Sequence, residues 1–286
     1  MFRFRYNRQF KNLIKRLFNK HMIPVWICVV GIVAVFVLVT SLGKGTAKIN
    51  VEDAELYNNK DITVGVVVGA DGMSEYNEQG DIVGLNIDVM ELVLEDIFPE
   101  KEIHYVEIES QHASYLLKTE QIDLAIGAFT SGVTKTLKLQ TSVPYYEDEV
   151  YAYAAPGSGV TTLSGMIGKR VYATTTEFTA KSLKNALKNK GIETDILSSS
   201  SYPDLIYNME NSRADVVIAM RSFSSKISEM YTRVDEPVMK VGCRIIAWTD
   251  CTNTMKLINN SLQELSDDGV LKELREKWGI SAEENR

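Results

Sequence analysis

Three histidines, three cysteines and a group of tyrosines are the residues whose chemistry invites reading first. His21, His104 and His112 are widely separated, and none has the short paired spacing that metal sites draw on. Surface or packing roles are expected for them, and no metal. Cys243 and Cys251 stand eight apart and could close a hairpin in an oxidising compartment. However, VGCRIIAW reads as a strand, which at ~3.3 Å per residue carries Cys243 ~16 Å from Trp248, beyond the ~6 Å a disulfide spans. Two unpaired thiols are favoured. Tyr145, Tyr146, Tyr151 and Tyr153 look like a binding stripe, but alternation along a strand favours packing of a sheet. No phosphate loop, nucleophile elbow or nucleic-acid motif is present, and no cofactor is expected.

The elements that must position any site alternate along the chain. DITVGVVVG is a β-branched run suited to a strand buried on both faces. LNIDVMELVLEDIF follows, with Ile87, Met90, Leu94 and Ile97 at helical spacing. IHYVEI, IDLAIGAF and PYYEDEVYAYAAP read as strands, and HASYLLKTEQ as a short helix. From Pro156 the pattern repeats: strands at GKRVYAT, TDILSS and ADVVIAM, helices at TEFTAKSLKNALKNKG and YPDLIYNMENS. KVGCRIIAWT is a further strand, and two amphipathic helices close the chain. Such alternation predicts α/β architecture with mostly parallel sheets.

Charge and hydropathy divide the 286 residues. Residues 1–22 carry seven basic side chains and no acid; removing them from the net charge of −7 leaves −14 beyond. That acidity argues against a nucleic-acid partner. Residues 23–42, IPVWICVVGIVAVFVLVTSL, are twenty positions without a charge. As a helix they span ~30 Å, a bilayer core. A transmembrane helix is expected, retained rather than cleaved, with the basic N-terminus cytoplasmic and the remainder extracytoplasmic. Residues 43–60 are polar and read as a tether.

Several stretches in order carry a resemblance: EYNEQGDIVGLNIDVMELV, QIDLAIGAFT, TSVPYY, IGKRVYA, SRADVVIAM and SLQELSDDGVLKELREKWGI. Their order and spacing over about residues 61–280 are similar to the family 3 extracellular solute-binding proteins, polar-amino-acid receptors of ABC importers. The resemblance implies a two-lobe periplasmic-binding-protein type II fold. Lobe 1 would take about 61–150 and 243–280, and lobe 2 about 153–240. YEDEVYAYA and VGCRIIAW would be hinge strands, with the ligand between the lobes. Periplasmic binding proteins are among the proteins in which hinge closure around a ligand is established, so the resemblance implies that motion too.

The resemblance also places site residues. Ser74 falls where an aromatic normally stacks on the ligand, and Thr130 matches a hydroxyl that helps bind the α-carboxylate. Lys135 stands at the clamp arginine, giving a flexible point charge in place of a planar fork. The carboxylate-binding helix start becomes Thr176-Glu177-Phe178, although a one-residue shift would bring Thr179 there. Met220 replaces the aspartate that pairs with a ligand ammonium. Glu75 and Glu177 would flank the cleft; with Asp88 they are the candidates for acid–base chemistry, which is not expected.

A charged ligand group without its partner costs more than ~1–3 kcal/mol, so ordinary α-amino acids are expected to bind weakly. The expected function is solute delivery to an ABC permease, for a small polar solute other than a standard α-amino acid. The competing expectation is a sensing or interaction ectodomain acting through a membrane partner.

Overall fold

The β-branched run that starts at Asp61 forms β1 (Asp61–Val66), whose Ile62, Val64 and Val66 are fully buried. The strand stops three residues short of the expected run. Ile108 donates to the Val66 carbonyl at 2.9 Å, and Gly69, at φ 110°, turns the chain away. A small hairpin, β2 (Glu75–Tyr76) and β3 (Ile82–Val83), leads into α1 (Leu85–Ile97). Then come β4 (Glu102–Glu107), α2 (Ala113–Lys118), β5 (Leu124–Gly127), β6 (Gln140–Thr141) and the long β7 (Tyr146–Ala154). In this computed structural model residues 49–70, 72–129, 134–135, 137–174 and 180–280 are described. The basic segment, the apolar run 23–42 and residues 43–48 lie outside them. Among the described residues no helix is long and apolar enough to cross a membrane.

The second half builds β8 (Val171–Thr174), α3 (Ala180–Asn189), β9 (Ile196–Ser199), α4 (Tyr202–Glu210) and β10 (Val216–Met220). The start of α4 shows its local cause: the Ser201 hydroxyl accepts from the Asp204 N–H at 3.3 Å, and Pro203 sits in the first turn. α5 (Ser225–Met230) and β11 (Thr232–Arg233) precede the second long strand, β12 (Met239–Ala247). Helices α6 (Thr252–Asp267) and α7 (Val270–Lys277) then return to pack on α1.

The strands run in the order β4-β1-β5-β12-β7-β10-β8-β9. Two parallel wings result, β4-β1-β5 and β10-β8-β9, each with its own helices. Between them β12 and β7 are antiparallel to each other and to their outer neighbours. β12 pairs with β7 from Met239 to Cys243 and with β5 from Arg244 to Ala247, so it crosses between the wings at Cys243–Arg244. The result is the expected α/β pair of lobes joined by two strands. The tyrosines of β7 and the residue before it are all buried: the packing reading holds. Cys243 and Cys251 are both buried and form no disulfide.

The tether ends earlier than the polar composition of 43–60 suggests. Ala54 and Leu56 join the core of lobe 1. Beside them Glu55 caps a distant helix: its carboxylate accepts from the N–H groups of Asn253 and Thr254 at 3.0 and 2.8 Å, and from the Thr254 hydroxyl. Partial burial opposes ionisation, but these hydrogen bonds outweigh it and hold the carboxyl below its ordinary range. A carboxylate at a helix N-terminus also complements the helix dipole. Lone apolar residues in a polar stretch have no periodicity to betray them.

Glu55→Ala should therefore destabilise the chain by about 1 kcal/mol at neutral pH, a cap value at the lower end because the group is largely exposed. A depressed carboxyl stabilises above its unfolded pKa and loses that contribution as pH falls through the folded value. Urea titrations at pH 7 and pH 3 should show the mutant deficit shrink in acid.

Candidate functional site

The line where β12 crosses between the lobes is also the floor of a cleft. Lobe 1 contributes Val67, Met73, Asn86 and Ala128; lobe 2 contributes Met220, Ser222 and Phe223; Cys243 sits at the crossing. The space left among them is about 20 Å³, enough for one water by size. Two wider hollows, of about 590 and 530 Å³, each lie within a single lobe. No acidic or basic side chain is among the described residues lining the cleft.

A chain of neutral hydrogen bonds sets the lobe 1 wall. The Tyr145 hydroxyl donates to Asn86 Oδ1 at 2.5 Å, and Asn86 Nδ2 donates to the Ser74 hydroxyl at 2.6 Å. All three residues are buried, and burial raises the Tyr145 hydroxyl well above its usual pKa, so the phenol stays neutral. The first N–H groups of α1 are already engaged: Leu85 donates to the Gly72 carbonyl and Asn86 to the Met73 carbonyl. Gly84 permits that docking. At φ 134°, a Cβ there would stand 2.4 Å from the Met73 carbonyl oxygen.

Lobe 2 presents the turn Arg221–Phe223, which follows β10. Asp148 of β7, fully buried, accepts from the Ser222 N–H at 3.2 Å and from the Glu149 N–H at 2.8 Å. Burial pushes its carboxyl pKa up, opposed by Ser222 and by Arg221. Arg221 turns towards the hinge strand, donating to the Tyr146 hydroxyl at 2.8 Å and lying 3.9 Å from Glu149. Burial disfavours its charge, but Tyr146, Asp148 and Glu149 more than compensate and raise its pKa. The cation next to Met220 is thus held by hinge groups.

The residues singled out from the sequence are only partly brought together. Met220 is buried and faces the cleft. Ser74, expected at the wall, is instead fully buried behind it, where a short hydroxyl reaches Asn86. Its neighbour Met73 takes the wall position. Glu75 lies half-buried on the β2–β3 hairpin and outside the lining. Lys135 is exposed and also outside the lining. Thr130, Thr176, Glu177, Phe178 and Thr179 lie outside the described residues. Asp88 ties helices together, accepting from Lys277 Nζ and Trp278 Nε1, each at 2.7 Å.

The sequence reading passed over Asn86, Ser222 and Phe223. Asn86 had a signal, an amide beside core-facing positions of an amphipathic helix. One histidine, His104, does meet two carboxylates across neighbouring strands. Parallel pairing sets Asp61 opposite Glu102, with His104 two residues on, and their ligand atoms lie within 4.8 Å of one another. The histidine and Glu102 are well exposed, and Lys60 already approaches Asp61 at 3.6 Å, as in ordinary surface ion pairs.

Because Asn86 joins two buried hydroxyls, Asn86→Ala should cost more than Tyr145→Phe. An unpartnered buried polar group costs about 1–3 kcal/mol. About 2–4 kcal/mol is expected for Asn86→Ala, and less for Tyr145→Phe, by denaturant unfolding of the two variants.

Comparisons with known proteins agree with this architecture. The chain is similar to the arginine-binding extracellular protein ArtP of Bacillus subtilis, with 24% identity over 210 residues, covering 71% of this chain and 80% of that one. The structure of Tv2483 bound to L-arginine superposes with a TM-score of 0.68 at 16% identity, covering 78% of this chain and 92% of the other. A substrate-binding protein of an ABC uptake transporter from Streptococcus pneumoniae, with bound histidine, gives 0.64 at 21%, covering 77% and 92%. The model of the bacterial extracellular solute-binding proteins, family 3, matches residues 62–281. With that match spanning most of the sequence, the chain belongs to the family 3 bacterial extracellular solute-binding proteins.

Proposed function

We propose that this chain is the receptor component of an ABC-type importer for a small polar solute that is not a standard α-amino acid. The observation that carries this is the absence of charge in the cleft: its polar members are Asn86, Ser110 and Ser222, and no described lining residue is acidic or basic. Relatives named for arginine, or seen with arginine or histidine, make an amino acid the natural alternative. A zwitterion brings two charges into the cleft, and each buried charge without a partner loses well over tenfold in affinity. Met220 stands where the resemblance implies a carboxylate for the ammonium.

A non-catalytic role fits the carboxylates, since Asp88 is engaged by α7 and Glu75 stands outside the lining. In this proposal residues 23–42 hold the receptor at the membrane as a single span, with the N-terminus cytoplasmic and both lobes extracytoplasmic. The permease and the lipid bilayer are then its partners.

Calorimetric titration of the full chain with L-arginine, L-histidine and L-glutamine should give no micromolar binding. A micromolar affinity for any of them would overturn the solute class. A thermal-shift screen of neutral polar metabolites should find a stabilising compound. At a hundred times its Kd such a solute adds ~2.7 kcal/mol.

A further inference from the structure

We infer that Phe223 is an intramolecular occupant of the solute cleft, an aromatic side chain from lobe 2 that competes with solute for the space between the lobes. The inference deepens the receptor reading, and rests on it for placing solute between the lobes.

The ring belongs to the turn after β10, yet its Cε1 lies 3.9 Å from where a Cβ on Gly69 of lobe 1 would stand. Phe223 is 6% exposed and lines the cleft together with Val67, Ala70 and Met73 of lobe 1. It therefore bridges the two lobes across the gap that hinge motion would open.

The turn is anchored on three sides. The Ser222 N–H donates to buried Asp148, Arg221 donates to Tyr146, and the Tyr202 hydroxyl donates to the Phe223 carbonyl. The Tyr202 ring packs on Phe223 with centroids 5.1 Å apart. These anchors hold the ring at the cleft and leave only about 20 Å³ beside it.

Energetically, a tethered occupant acts as a competitor. Solute binds only the fraction of molecules in which the ring has moved aside, so its apparent affinity falls by that fraction. Removing the ring leaves a hollow walled mainly by apolar residues, Met73, Ala128, Met220 and Cys243 among them, with Asn86, Ser110 and Ser222 as its polar members. Apolar cavities of about 150 Å³ take up benzene-sized molecules.

The test is Phe223→Ala in the full chain, probed with fluorobenzene by 19F NMR line broadening and by thermal shift. Saturable binding at least tenfold tighter than in the wild type is expected. Folded Phe223→Ala without saturable binding, or equal binding by the wild type, would make Phe223 an ordinary packing residue. If the alanine variant does not fold in dilute buffer, the same titration in a stabilising osmolyte carries the test. Tighter binding than wild type supports the inference, and its absence overturns it. Either result is independent of the solute screen, because fluorobenzene probes the volume of the ring and not the native solute.

Discussion

The antiparallel pairing of β7 with β12 is the interaction on which the rest of the molecule depends. Its register, Met239 with Val150 through Cys243 with Tyr146, fixes where β12 leaves one lobe for the other. On each side of that pair lies a parallel wing, and parallel strands need helical crossovers, so each lobe acquires its own helical cover. The cleft lies over the crossing because that is where the wings diverge. Cys243 lines it for the same reason.

Polar groups around the crossing are sorted by their distance from the cleft. Neutral groups, the Tyr145–Asn86–Ser74 chain, stand directly behind the lobe 1 wall. Charged groups gather at the hinge: Asp148 and Glu149 on β7 meet Arg221, which reaches over from the turn after β10. Buried charges demand partners, and Arg221 finds them along the hinge. Its neighbour Met220 is then left to face the cleft without a charge, and Phe223 closes over the same space.

Elements with strong periodicity were legible in the sequence. α1 runs over Leu85–Ile97, almost the expected span, because apolar residues recur each turn and Gly84 fixes its start. The fully apolar β10 and the long β7 and β12 were equally clear. What misled was chemistry without periodicity. Residues 49–60 looked like a tether, since nothing local reveals that Glu55 caps a helix about two hundred residues away. Cross-strand neighbours such as Asp61 and His104 depend on a register that spacing along the chain does not encode.

The site divides in the same way. From the sequence came the α/β alternation, which rests on local pattern, and the family with its two-lobe frame, which rests on the resemblance carried by the order of its stretches. Tertiary structure alone decided that Ser74 turns inward to Asn86, that Arg221 is claimed by the hinge, and that Phe223 reaches across to Gly69. A residue's type limits which partners it can take. Which one it takes depends on what packing brings within about 3 Å, and in a cleft between two lobes those neighbours come from distant parts of the chain.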